Sequence, residues 1–336
     1  MTQRECPFCE RRCTLTEDGG GFCQMYHLAD GRVVERFPHR YSSSVVSHIE
    51  AIPFYHFQPG SRSFMLGGAG CNFDCSYCSN AYVARSDPEP LLTLHLSPER
   101  IVQFAEQAGC HNITFAVNEP TVALPTLLEL APVARASGLP VGVLTNGYMR
   151  PEVAVQMGEA FDFVNVSLKA MDDAFYRQCV GVPSADIIKR NIETLYRKTH
   201  LEVSTPIVQE LNDGDIPAIA GFIASISLEI PWHVFRLLPE YKMADYERPL
   251  IETVNAALEA ARKKLPYIYF GNFVGSQWVS TLCPQCGSVA VERINLGGCG
   301  AKSLTYHLAD NRCAACNYAL PIAGEPVTWN SKEIIG

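Results

Sequence analysis

The sequence predicts an α/β chain built on a partial (β/α)6, TIM-like barrel, with a small cysteine-rich metal module at each end. Two observations predict this. From residue 62 to about 275, short apolar runs alternate with stretches of helical spacing, the signature of a parallel sheet with right-handed crossovers. Twelve of the fourteen cysteines fall into three groups: Cys6, Cys9, Cys13 and Cys23; Cys71, Cys75 and Cys78; and Cys283, Cys286, Cys299, Cys313 and Cys316. The first and last groups flank the alternating region, and the middle one follows its first apolar run. The expected organisation is therefore 1–40 as a four-cysteine module, 41–61 as a linker, 62–275 as the barrel and 276–330 as a zinc-ribbon-like module.

Composition bounds the function. With 336 residues, 47% hydrophobic and 18% charged, the chain can bury a sizeable core. A net charge of -8 disfavours nonspecific binding to a nucleic-acid backbone, which needs a basic surface. The start of the chain is polar (Thr2, Gln3, Arg4, Glu5) and no apolar run is long enough to span a bilayer, so the expected location is cytoplasmic. In a reducing compartment grouped cysteines read as metal ligands rather than disulfides. Cys110 and Cys179 stand alone and read as small buried hydrophobes.

The C-x2-C-x3-C-x9-C spacing of Cys6, Cys9, Cys13 and Cys23 supplies four thiolates, enough to close a tetrahedral ion or a complete cluster, with zinc read ahead of an auxiliary cluster. After it, Tyr26-His27-Leu28-Ala29-Asp30-Gly31 predicts a hairpin, and Tyr26 to Asp30 recurs as Tyr306 to Asp310. The barrel strands are expected over Phe64–Leu66, Ile113–Val117, Val141–Leu144, Phe163–Leu168, Leu201–Val208 and His233–Leu238. Ser97-Pro98 marks a helix start, Ser as N-cap and Pro at the first position. Further helices are expected over Thr126–Ser137, Pro151–Glu159, Ile187–Tyr196, around Ile216 to Ile223, and over Ile251–Lys264. A doubly wound sheet shares this pattern; the polar residues that follow the strands favour the barrel, where reactive groups gather at strand C-terminal ends. Those ends carry Asn118-Glu119-Pro120-Thr121, Thr145-Asn146-Gly147, Ser167-Leu168-Lys169 and Arg236. His233 and Arg236 lie three apart on one strand and should face opposite ways, Arg236 inward.

At the end of the first strand stands Cys71-Asn72-Phe73-Asp74-Cys75-Ser76-Tyr77-Cys78, entered through Gly67, Gly68 and Gly70. Three soft thiolates at C-x3-C-x2-C spacing select an iron–sulfur cluster or zinc. Only His95 follows at all near as a fourth ligand, so one metal position stays open. The last group reads Cys283-Pro284-Gln285-Cys286 and Cys313-Ala314-Ala315-Cys316, paired knuckles that suit one zinc ion, with Cys299 as an extra thiol.

With Phe115 to Thr121, Leu144 to Glu152, Val166 to Arg177 and Trp232 to Met243, these motifs resemble the radical S-adenosylmethionine (radical SAM) protein of the AmmeMemoRadiSam system, a group related to the activating enzymes of glycyl-radical proteins. The resemblance covers most of the chain. It implies a 4Fe-4S cluster on Cys71, Cys75 and Cys78, with S-adenosylmethionine (SAM) on the open iron. It implies that Asn118, Glu119, Asn146, Lys169 and Arg236 face SAM, Lys169 neutralising its carboxylate. The implied activity is reductive cleavage of SAM to a 5'-deoxyadenosyl radical, which abstracts hydrogen from an unidentified substrate, a protein among the candidates. Flavodoxin or ferredoxin is the implied electron donor, and Memo-family and AMMECR-family proteins the implied partners. Two departures weaken a glycyl-radical activase reading: Leu144 and Ser167 stand where such relatives often carry Asp. A non-catalytic, metal-stabilised partner-binding protein is the alternative from another class.

Overall fold

The computed structural model describes residues 3–17, 19–295, 297 and 300–328. The chain forms two compact units, Met1–Val46 with Ser63–Leu201 and Leu238–Glu247, and Ser47–Arg62 with Glu202–Leu237 and Arg248–Gly336.

Four parallel strands build the first unit: β1 (Arg62–Gly67), β2 (Asn112–Ala116), β3 (Val141–Thr145) and β4 (Phe163–Ser167). They lie in that order, with Gly67 opposite Ala116, Val143 opposite Phe115 and Thr145 opposite Val166. Every residue of β2 is buried, as expected of a strand covered on both faces. Its Thr114 is paired: Oγ1 lies 2.7 Å from the Ser63 hydroxyl of β1. Helices follow as the sequence predicts, within a few residues. Pro98–Gln107 starts on Ser97, whose side chain accepts the Arg100 amide. Leu124–Ala136, Pro151–Ala160 and Asp186–Tyr196 come next, the last burying Ile188, Asn191, Ile192 and Leu195 along one face.

The N-terminal segment of this unit holds the predicted hairpin, Tyr26–Ala29 against Arg32–Glu35. Asp30 and Gly31 both take positive φ, as a two-residue turn of this type requires.

The second unit carries three parallel strands: β5 (His200–Ile207), β6 (Trp232–Arg236) and β7 (Ile268–Gly271). The last is an addition to the expected series, which ended on the helix now seen at Ile251–Arg262. Its four residues are all buried, so a run too short to show alternation is fixed by pairing with β6. The stretch expected to link, 41–61, contains strand Ser43–His48 and a 3-10 turn at Ile49–Ala51, and Ile52, Phe54, Tyr55 and His56 are buried.

A buried polar network explains that burial. Glu202 accepts the amides of Tyr55 (2.9 Å) and His56 (2.8 Å) and pairs with His233 Nε2 at 2.5 Å. Tyr269 joins His56 (2.6 Å) to Thr281 (2.8 Å), and the Arg293 guanidinium lies 3.6 Å from Glu50. Here His233 is a structural residue, and Arg236 stacks its guanidinium over Phe273 at 4.7 Å. No helix among the described residues is long and apolar enough to cross a membrane.

Candidate active site and metal centres

Strand β1 runs straight into the cysteine loop. Gly70, at φ +77°, makes the turn, and a Cβ there would strike the Cys23 carbonyl and Met25, each at 2.7 Å. Beside it, Val117 at the end of β2 takes φ +78°, a strained conformation for a β-branched residue. Gly67 makes room for it, since a Cβ there would lie 3.3 Å from Val117 and 2.5 Å from Ser43 Oγ. The Asn80 amide holds the Val117 carbonyl at 2.8 Å. This twist turns the next two residues toward the loop.

Asn118 then clamps the loop entry. Its Oδ1 accepts the Gly68 amide at 2.7 Å, and its Nδ2 donates to the carbonyls of Ala69 (2.9 Å) and Gly70 (3.1 Å). Glu119 is buried and engaged on both oxygens. Oε1 accepts from the Thr121 amide and hydroxyl and from Thr145 Oγ1, and Oε2 accepts the Asn146 amide at 2.7 Å. Burial pushes its pKa up, opposed by those hydrogen bonds, that of Asn146 foremost.

Asn146 reaches the loop itself, donating from Nδ2 to Asn72 Oδ1 at 2.6 Å and toward Cys71 Sγ at 3.7 Å. Asn191 fixes the turn beneath it by donating to the carbonyls of Gly147 (2.8 Å) and Met149 (2.7 Å). The Phe73 amide donates to Cys71 Sγ at 3.4 Å. The far side of the loop is hung from a π-helical turn, Tyr176–Val180, whose Cys179 and Val180 carbonyls accept the amides of Ser76 (2.8 Å) and Asp74 (3.1 Å). Arg85 donates to the carbonyls of Cys71 and Phe73, and Lys242 pairs with Asp74 at 2.7 Å. Sequence reasoning gave no role to Asn72, which lies between two motif cysteines, or to Asn191 and the π turn, which carry no motif. Cys179 is buried, as expected of a lone cysteine.

Burial pushes all three thiols up: Cys71 well above its usual range, with the Glu119 charge adding to the effect, and Cys75 to about 11, with Lys169 opposing. The Cys78 thiol is also raised by burial and is lowered most by a backbone hydrogen bond, then by Lys169. The Lys169 ammonium lies 5.8 Å from the centre of the Tyr77 ring. The Tyr77 hydroxyl is buried with no hydrogen-bond partner among the described residues.

In the second unit Cys283, Cys286, Cys313 and Cys316 bring all four sulfurs within 4.8 Å of one another. Cys283 and Cys316 are 3.5 Å apart and Cys286 and Cys313 3.7 Å. Each knuckle turns on a left-handed residue, Gly287 (φ +76°) and Asn317 (φ +63°). Hydrogen bonds from Ser288 hold the Cys286 thiol down to about 6. Cys299 lies outside the described residues. Among the described residues no other group of three or more such ligands draws together within 4.8 Å. Cys71, Cys75 and Cys78 are thus spread more widely than a single ion requires, while sharing one loop.

Residues 65–223 match the radical SAM superfamily model. That stretch is a radical SAM domain, and the chain is an enzyme. It is 29% identical over 325 residues to an uncharacterized protein of Methanocaldococcus jannaschii, covering 94% of this chain and 95% of the relative. It is 26% identical over 179 residues to a probable GTP 3',8-cyclase of Thermoplasma volcanium, covering 51% of each. Among solved structures, SuiB of Streptococcus suis superposes with a TM-score of 0.50 at 12% identity, over 63% of this chain and 49% of SuiB. The matches span about half the length of the cyclase and of SuiB, and the structural likeness speaks for the fold alone. That fold is the expected one, a radical SAM α/β fold with a mostly parallel central sheet.

Proposed function

We propose that Cys71, Cys75 and Cys78 hold a 4Fe-4S cluster with SAM at its open position. When bound, the cluster supplies the electron that cleaves SAM to methionine and a 5'-deoxyadenosyl radical, the hydrogen-abstracting agent. The observation that carries the reading is the shape of the loop: three thiols, Cys75 buried and Cys71 and Cys78 half-buried, are spread too widely for one ion, and Cys71 Sγ receives hydrogen bonds from Phe73 and Asn146. Such donors stabilise thiolate sulfur and tune a cluster's potential.

The chain's own residues orient and neutralise. Asn118 and Glu119 are positioning residues here: Asn118 holds Gly68 to Gly70, and Glu119 holds the Asn146 amide. Asn146 holds Asn72 and the Cys71 sulfur. Lys169 supplies positive charge that favours the thiolates of Cys75 and Cys78. The unpaired Tyr77 hydroxyl offers a buried hydrogen-bond partner for a cofactor. Arg236 belongs to the second unit and carries no part of this proposal. The four C-terminal cysteines fit one zinc ion, because a tetrahedral site with Zn–S of about 2.3 Å places its sulfurs about 3.8 Å apart.

The finer reading is the radical SAM enzyme of the AmmeMemoRadiSam system, supported by the motifs from Phe115 to Met243 and by both cysteine modules. A flavodoxin or ferredoxin would supply the electron, and Memo-family and AMMECR-family proteins would be partners. Leu144 and Ser167 speak against a glycyl-radical activase. Anaerobically reconstituted protein given dithionite and SAM should release 5'-deoxyadenosine, and Cys75→Ala should reduce that release to background. A Cys75→Ala protein as active as the parent would sink the reading.

A further inference from the structure

We infer that Cys6, Cys9, Cys13 and Cys23 hold an iron–sulfur cluster of their own, in place of the zinc that their spacing first suggested. This goes beyond the chemistry proposed at Cys71 and does not depend on it.

The four cysteines line one small cavity of about 10 Å³, walled on its apolar side by Leu15 and Tyr26. Yet no three of their sulfurs lie within 4.8 Å of one another, although all four residues are described. One zinc ion at about 2.3 Å from each sulfur would need them about 3.8 Å apart. The chain itself shows what that looks like, at 3.5 and 3.7 Å among the C-terminal cysteines. In a cluster each thiolate binds its own iron, so the ligand sulfurs stand apart around a larger body.

Contraction onto a single ion is opposed by the backbone. The Cys6 amide donates to the Cys13 carbonyl (2.8 Å), the Arg12 amide to that of Cys9 (3.2 Å) and the Gln24 amide to that of Gly21 (2.8 Å). Gly21 gives the Cys13 side chain its room: a Cβ there would lie 3.2 to 3.3 Å from Cys13 Cβ and Sγ. The Phe22 amide then donates to Cys13 Sγ at 3.4 Å, the same amide-to-sulfur contact that Phe73 makes to Cys71. Asn72 also lines this cavity and hydrogen-bonds Cys9, while its Oδ1 accepts from the Asn146 amide that reaches Cys71. One asparagine side chain therefore touches both cysteine sets.

The test leaves the N-terminal site untouched. Protein carrying Cys71→Ala, Cys75→Ala and Cys78→Ala is reconstituted anaerobically with ferrous iron and sulfide, then examined by metal analysis and Mössbauer spectroscopy. The expected result is about half the wild-type iron, a Mössbauer signal of an iron–sulfur cluster, and about one zinc per chain at the C-terminal cysteines. Zinc at both four-cysteine sites without iron, or zinc at the C-terminal site with no iron bound, would overturn the inference. Should the triple variant lose its circular-dichroism signature, the wild-type protein decides: iron for two clusters supports the site, and iron for one overturns it. A wild-type protein that fails to cleave SAM but holds two clusters defeats the functional proposal alone.

Discussion

The N-terminal and C-terminal cysteine sites have the same ligand count and share the sequence Tyr-His-Leu-Ala-Asp, yet they differ in how the backbone presents the sulfurs. Near the N-terminus, Tyr26–Ala29 forms the first strand of a hairpin and Cys23 precedes it. Near the C-terminus, Leu308–Ala309 pairs with Arg312–Cys313, so that the ligand Cys313 sits on the returning strand. Both hairpins turn on two residues at positive φ, Asp30 with Gly31 and Asp310 with Asn311. The C-terminal knuckles draw four sulfurs together and leave Cys286 and Cys316 exposed. The N-terminal loop keeps its sulfurs apart around a cavity and buries Cys6 and Cys9. Ligand number does not choose the metal; the spacing at which the backbone holds the ligands does.

Breaking the C-terminal site should have the largest effect. Structural zinc contributes on the order of 10 kcal/mol to small modules of this kind. Cys283→Ser with Cys313→Ser is expected to open the last module to limited proteolysis while the iron content stays at the wild-type level. Next, Cys9→Ser with Cys13→Ser should lower the iron by about half and leave the zinc unchanged, reversing the pattern of the first pair. Simultaneous loss of zinc would show that the two regions are not independent.

A third change probes how tightly the N-terminal module meets the cluster loop. Gly70→Ala combines left-handed backbone with contacts at 2.7 Å to Cys23 and Met25, and should cost about 2 to 3 kcal/mol in thermal unfolding. Gly31→Ala, at φ +70° with nothing within 4 Å, should cost only about 1 kcal/mol. Equal losses would mean that strain alone, and not the contact, matters at Gly70. The smallest effect is expected for Asn146→Ala, which removes a donor to Cys71 and to Asn72. Its stability loss should stay near 1 kcal/mol, while the reduction potential of the Cys71 cluster moves to more negative values in an EPR-monitored titration. An unshifted potential would show that Asn146 does not tune that sulfur.

Much of the fold was legible in the sequence because its signals are local. Ser97-Pro98 caps its helix by chemistry contained in four residues, and the apolar runs from Phe64 to Leu238 must be strands if the intervening stretches are to bury their helical faces. The brief run that becomes β7 was missed, since pairing with β6 rather than any pattern of its own makes it a strand. So was the order within 41–61, where Glu50, Tyr55 and His56 are held by Glu202, Arg293 and Tyr269 from distant parts of the second unit.

The sequence alone determined the cysteine sets, the loop that ends the first strand, and the polar residues that follow the others, because each depends on residue type and spacing along the chain. Tertiary structure decided what those residues do. It showed Asn118 holding the loop backbone, Glu119 with both oxygens engaged, and Asn72 between Cys9 and Cys71. Above all it set the distances between sulfurs, which spacing along a chain cannot give, because a few residues can fold to place two thiols in contact or well apart.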